Sequence, residues 1–187
     1  TTPDLYLGTC VDGEQDGQPE AMAGLMTGGD DNNSGNGTQG TCTPAGDDEN
    51  GIVFETPMVP GSTACIRVTA VNNTGDDAYL QGWVDFNGNG TFDAGENLSS
   101  LDFTGDGAVI PNGGVTDAQY CFTVPANATF TGGQAMVRFR LSPDGDLQSG
   151  NPAGSTPPLG EVEDYKAPLS KIGNLVWWDV NNNGQQE

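Results

Sequence analysis

The residues best suited to chemistry lie between positions 85 and 96. Asp85, Asn87 and Asn89 alternate, Gly90 follows, and Asp93 and Glu96 close the set. Counted from Asp85 they take positions 1, 3, 5, 6, 9 and 12 of a loop, with the Thr91 carbonyl at position 7. This is the ligand spacing of an EF-hand-type calcium loop. Calcium is a hard cation that takes about six to eight oxygens at roughly 2.3–2.6 Å. Alternating oxygen-bearing side chains on a tight turn can face one centre, and glycine at position 6 permits the sharp reversal. No helical period flanks the loop, so the ligand geometry is expected without the EF-hand helices. A plain Asn/Gly-rich hairpin turn is the alternative; the match at every liganding position favours the cation.

Further carboxylates come in clusters: Asp30 with Asp31, Asp47 with Asp48 and Glu49, and Glu161 with Glu163 and Asp164. Two residues apart on a strand, Glu161 and Glu163 project from one face. Like charges 4 Å apart cost about 4 kcal/mol at an effective dielectric near 20. If these clusters meet, a second cation would relieve the repulsion; if not, they are solvated loop. Paired carboxylates also serve glycosidases, but these sit in Gly- and Asn-rich turns and not on apolar walls that raise a pKa. The chain has no histidine. That removes the commonest general base and the usual ligand for zinc or copper, and no Ser-His-Asp set can be built. The expectation is a protein that is not an enzyme.

These loops must hang on a scaffold, and the scaffold reads as strands. Leu5–Leu7 and residues 52–54 are short apolar runs. Over 64–71, Ile66, Val68 and Ala70 share a face. Over 79–86, Leu80, Val84 and Phe86 oppose Trp83. Residues 108–110 are short. Tyr120, Phe122 and Val124 point inward over 119–124, and Val137, Phe139 and Leu141 do so over 135–141. Arg138 and Arg140 then share the opposite face and are expected to meet carboxylates. Residues 162–165 add a further strand. Period-2 alternation between Gly- and Pro-bearing turns predicts an all-β antiparallel β-sandwich with long acidic calcium-binding loops. Residues 1–50 read as irregular acidic loop apart from the first short strand.

With 187 residues the chain can bury about 70% of its unfolded surface, enough for one core. Its 26 acidic and five basic residues give a net charge of −21, which argues against nucleic acid and anionic membrane surfaces. No apolar run is long enough to insert in a membrane. The chain opens on Thr1 with no signal peptide, which suits a processed protein or a portion of a longer one. The four cysteines lack Cys-x-x-Cys spacing. An even count with long gaps suits disulfides and an oxidising compartment. Of three connectivities, Cys10–Cys42 and Cys65–Cys121 are favoured; four buried thiols are the alternative. Asn-x-Ser/Thr occurs at Asn32, Asn36, Asn72, Asn89, Asn97 and Asn127, so glycans are candidate partners.

Leu159-Gly-Glu-Val-Glu-Asp-Tyr165 resembles the signature of the GEVED domain, a module of secreted and surface bacterial proteins. Leu7-Gly-Thr9, Asp12-Gly-Glu-Gln-Asp-Gly-Gln-Pro19, Gly29-Asp-Asp31, Asp47-Asp-Glu-Asn-Gly51, Gly82-Trp-Val-Asp-Phe-Asn-Gly-Asn-Gly90 and Val137-Arg-Phe-Arg-Leu141 follow the family's order over residues 5–166. Asn50 departs from the family's acidic run, and the acidic segment that usually precedes Leu7 is missing. The resemblance implies a β-rich extracellular module without catalysis, and supports Glu161, Glu163 and Asp164 as a site.

After an expected linker over 167–171, residues 171–187 resemble the opening of B-repeat domains of serine-aspartate-repeat adhesins. Asp179, Asn181 and Asn183 would begin a second calcium loop, with Gly184 and Glu187 at positions 6 and 9. Ile172, Val176 and Trp178 line one face of this strand, Leu175 and Trp177 the other. A strand apolar on both faces is rarely left at an edge. It packs in its own sheet, is donated to a neighbouring copy, or begins a truncated domain. Donation repeated head to tail would not close and would give a fibre. The expected function is therefore a calcium-stabilised extracellular subunit of a surface filament, appendage or matrix, with self as partner. An adhesin or carbohydrate- or protein-binding module of a larger secreted protein is the alternative.

Overall fold

The third strand shows how this sequence specifies its sheets. In β3 (Thr63–Asn72), Ala64, Ile66, Val68 and Ala70 are buried, while Arg67 is exposed and Cys65 and Thr69 are half-buried. Side chains alternate across a strand, so an apolar/polar alternation fixes one inward face. The structure, a computed structural model, describes residues 4–9, 50–98, 108–143 and 160–169.

Around β3 the first sheet assembles. β6 (Gly114–Thr123) runs antiparallel along one side, from Thr63 opposite Thr123 to Asn72 opposite Gly114. Two short strands share the other side. β1 (Leu5–Leu7) pairs with Ala70–Asn72, and β2 (Ile52–Phe54) pairs with Ile66–Val68. Thr69 fills the gap between them: its carbonyl accepts from Gly8 N at 2.8 Å and its N–H donates to Gly51 O at 2.8 Å. The chain thus leaves this sheet at Gly8 and rejoins it at Gly51, both beside Thr69. The second sheet has the order β5 (Ala108–Ile110), β4 (Ala78–Val84), β7 (Gln134–Ser142), β8 (Glu161–Pro168), antiparallel throughout.

The core lies between the sheets, with Leu7, Ile66, Val68 and Phe122 from one and Leu80, Val84, Phe139 and Leu141 from the other. The fold is all-β, and the inward residues over 64–71, 119–124 and 135–141 are the expected ones. Two boundaries differ by three residues or more. β6 begins at Gly114, because Thr116 and Ala118 give a weak apolar signal that pairing with β3 makes good. β8 continues through Ala167 and Pro168, residues expected in a linker. Ala167 is buried opposite Ala135, and proline suits an edge strand end because its missing N–H has no ladder partner to serve.

The outer faces differ. On the first sheet, Arg67 pairs with Glu55 at 3.0 Å and Asp117 at 2.9 Å, exposed to solvent. Cys65 and Cys121, opposite one another in register, are joined there by the expected disulfide. In the chain-entropy model such a loop contributes about 4 kcal/mol. On the second sheet, Gln81, Trp83, Arg138 and Arg140 occupy the outward positions yet are buried.

Asn72 ties the sheets together. It is fully buried, and its Nδ2 donates to Ile110 O at 2.9 Å and Asp76 O at 3.0 Å. It is therefore closed to glycans, unlike the expectation from its Asn-Asn-Thr context. Replacing it leaves Ile110 O and Asp76 O without this donor. Asn72→Ala is expected to lower stability by about 2–3 kcal/mol, read as a fall in urea midpoint at unchanged slope.

Candidate functional site

The loop over 85–96 is pinned to the second sheet at both ends. Asp85 N extends the ladder to Met136 O at 3.0 Å. The returning arm pairs back on β4: Val84 N donates to Glu96 O at 2.9 Å, Leu98 N donates to Gly82 O at 2.7 Å, and Asn97 faces Trp83. Asp85 and Glu96, the first and last expected ligands, are therefore held on the sheet, 3% and 5% exposed. The β6–β7 connection supports the floor. Thr129 N donates to Phe86 O at 2.7 Å, and Thr131 Oγ1 donates to Gly88 O at 2.6 Å. Gly88 has φ +67°, and a Cβ there would stand 2.5 Å from Thr129 O. Only glycine fits.

Inside, the expected ligands form one hydrogen-bonded ring. Asn89 N donates to Asp85 Oδ1 at 3.2 Å and Asn87 Oδ1 at 2.9 Å, and Gly90 N to Asp85 Oδ2 at 2.8 Å. Glu96 bridges the loop, accepting from Asn87 N at 3.1 Å and Asp93 N at 2.8 Å. Asn87 Nδ2 and Asn89 Nδ2 both donate to Asp93 Oδ2, at 3.1 and 2.7 Å. Thr91 N and Oγ1 donate to Asn89 Oδ1 at 2.8 and 2.7 Å. Among the described residues, no three Asp, Glu, Cys or His side chains stand together as metal ligands. The ring instead mixes three carboxylates with two amides, and the carboxylates are turned onto N–H groups. A hard cation would need Asn87 and Asn89 to present oxygen where they now present Nδ2.

The second expected site is arranged differently. Glu161 accepts a hydrogen bond from Leu7 N, at the end of β1. Glu163 is 1% exposed; its Oε1 accepts from Asn50 N at 3.2 Å and Gly51 N at 3.0 Å, and its Oε2 from Tyr165 OH at 2.9 Å. The Tyr165 oxygen accepts in turn from Ile52 N at 3.1 Å. The two glutamates thus grip both ends of the excursion 8–51. Gly51 is required there, since a Cβ would come within 2.5 Å of Leu7 Cβ and 2.8 Å of Glu163 Oε2. Asn50, the departure from the family pattern, joins the grip by accepting from Thr9 N at 2.7 Å.

Asp164 faces the other way. It forms a two-pronged pair with Arg138, Nε to Oδ1 at 2.7 Å and Nη2 to Oδ2 at 2.6 Å, both side chains under 10% exposed. The Phe92 ring, from the loop, lies 5.4 Å from Arg138 Cζ. A cation over an aromatic face is attracted by the ring quadrupole. The loop and β8 are therefore joined through Arg138. Glu161, Glu163 and Asp164 do not converge on one centre: two serve main-chain amides and the third an arginine. Asp30, Asp31, Asp47, Asp48, Glu49, Cys10, Cys42, Asp179, Asn181, Asn183 and the strand over 172–178 lie outside the described residues.

Sequence reasoning missed Tyr165, Phe92 and Gly51. Tyr165 sits two residues beyond Glu163 on the same strand face, a signal that was available.

Glu163→Ala removes the acceptor of the buried Gly51 N–H and of the half-buried Asn50 N–H and is expected to cost about 3 kcal/mol. Glu163→Gln keeps an acceptor oxygen and should cost less; equilibrium unfolding compares the two. The bonds from Asn89 and then Asn87 hold the Asp93 carboxyl below the usual aspartate range. Its pKa is lowered on folding, so its contribution is present above the unfolded value, about 4, and is lost as pH falls through the folded value. Protection of the Asn87 and Asn89 side-chain amides against exchange should fall as pH drops below about 4, and Asp93→Asn should remove that pH dependence.

Residues 79–168 match the family model of the GEVED domain. The match runs from β4 through β8 and so includes both the ring and the grip of Glu161 and Glu163. It is narrower than the resemblance over 5–166 and stops before residues 171–187. No curated protein matches the chain.

Proposed function

We propose, with the GEVED match over residues 79–168 as premise, that the chain is a calcium-stabilised extracellular structural module. Its task would be mechanical and not catalytic, as a self-associating subunit of a surface filament, appendage or matrix. The observation that carries this is the ring formed by Asp85, Asn87, Asn89, Asp93 and Glu96, whose end members are fixed on the sheet by Met136 and Val84. Every side chain in it can offer oxygen, the donor a hard cation prefers. Calcium would supply positive charge to a chain of net charge −21. Extracellular modules bind it with about 10⁻⁴–10⁻³ M affinity, which makes the ion a standing brace where calcium is millimolar. The surface disulfide suits the same compartment. Assembly would use the strand bearing Ile172, Leu175, Val176, Trp177 and Trp178, donated to a neighbouring copy.

Two measurements on the whole chain test this. Saturating calcium at about 100 times the dissociation constant adds about 2.7 kcal/mol, so the melting temperature should rise by roughly 5–10 °C over that in EDTA. Glu96→Gln should lose most of that rise. A melting temperature indifferent to EDTA overturns the brace. Electron microscopy should show filaments with calcium and none after deletion of residues 171–187; if the shortened chain still polymerises, strand donation is wrong.

A further inference from the structure

We propose that the Cys65–Cys121 disulfide is a surface thiol-exchange site, reactive in the folded protein and selective for small cationic or neutral thiols. Strand alternation places both sulfurs on the outer face of the first sheet. Their inward neighbours, Ala64, Ile66 and Phe122, are buried, whereas Cys121 is exposed and Cys65 half-buried. Exposed disulfides are the labile ones, and access governs their exchange.

The fold does not need the bond to hold its register. β3 and β6 are paired from Thr63–Thr123 to Asn72–Gly114, and their apolar face lies on the side away from the sulfurs. The Cys65 backbone is fixed separately: its N–H donates to Thr56 Oγ1 at 2.6 Å, and its carbonyl accepts from Glu55 N at 2.9 Å. Cleavage therefore gives up the bond's stabilisation, about 4 kcal/mol, but removes no ladder pair and no inward contact of β3 or β6.

Direction of attack singles out one sulfur. A thiolate approaches a disulfide in line with the S–S bond, from behind the sulfur it strikes. Behind Cys65 stands the β2 side of the sheet, with Glu55 and Thr56 bonded to the Cys65 backbone. Behind Cys121 is the outer side of β6, an edge strand among the described residues. The incoming thiolate bonds to Cys121 Sγ, the S–S bond breaks, and its electron pair leaves on Cys65 Sγ, which takes a proton from water. The products are a mixed disulfide at Cys121 and a thiol at Cys65. The reverse step, Cys65 thiolate on Cys121 Sγ, expels the small thiol again.

Charge sets the selectivity. Glu55 and Arg67, an ion pair, stand beside Cys65, whereas Asp117 lies opposite Thr69, four residues along β6 from Cys121. The charge that meets an incoming thiol is therefore that of the whole chain, −21. Anionic thiols are repelled, and salt screens the repulsion.

The test uses the full chain in native buffer with cysteamine, 2-mercaptoethanol or mercaptoacetate at equal thiolate concentration, quenched with iodoacetamide. Peptide mapping by mass spectrometry separates Cys65 and Cys121 from Cys10 and Cys42, and circular dichroism runs in parallel. The expected result is a cysteamine adduct on Cys121 and alkylation of Cys65 with an unchanged spectrum. Cysteamine should outpace mercaptoacetate about tenfold at low salt, with the gap closing near 1 M salt. Modification that appears only at denaturant concentrations that melt the spectrum, or an adduct on Cys65 instead of Cys121, overturns the proposal. Equal rates for the three thiols overturn its selectivity.

Discussion

A buried carboxylate holds this fold at its most exposed topological weakness. Residues 8–51 depart from and return to one edge of the first sheet, and chain closure of that length is entropically costly unless its ends are fixed. Glu163 from the opposite sheet fixes them, with Asn50 N, Gly51 N and Tyr165 OH as its donors and Glu161 holding Leu7 N alongside. Charge-assisted hydrogen bonds of this kind are roughly twice as strong as neutral ones. A carboxylate this buried would be destabilising without them. The two short strands β1 and β2 are too brief to hold themselves, so the grip decides whether the first sheet has a second side at all.

The remaining acidic residue of the same strand, Asp164, faces the other side of the sheet. Asp164 neutralises Arg138 in a nearly dry setting, where a broken pair is costly even if the intact pair adds little. Its larger consequence is positional. Arg138 sits under Phe92, so the loop over 85–96 rests on a residue that β8 orients. Ring, arginine and grip form one continuous path across the second sheet. Phe92, Arg138 and Asp164 thus link the loop by direct contacts to the strand that carries Glu163.

Much of the scaffold was readable from alternation. The inward residues of β3, β6 and β7 follow directly from period-2 spacing, because a strand with one buried face can satisfy its apolar residues in only one register. That the oxygen-bearing side chains of 85–96 gather in one turn was readable for a similar reason: their spacing is local. The grip was not readable. Glu161 and Glu163 look like cation ligands when only their charge and spacing are known, and nothing local shows that Leu7 N and Gly51 N will arrive beside them. Likewise Ala167 and Pro168 look like a linker until Ala135 is placed opposite.

Strand faces, the all-β class, the acidic charge and the clustering of oxygen-bearing residues in the loop were thus determined by the amino-acid sequence itself, since each depends on neighbours within a few positions. Which carboxylates become acceptors for buried amides, which meets an arginine, and which sulfur lies open at a sheet edge were decided by the tertiary structure alone. Those outcomes depend on groups 26 to 154 residues apart meeting in a low-dielectric interior or at a shared edge. Such a meeting is set by sheet order and register across the whole chain, and no short stretch of it carries that information.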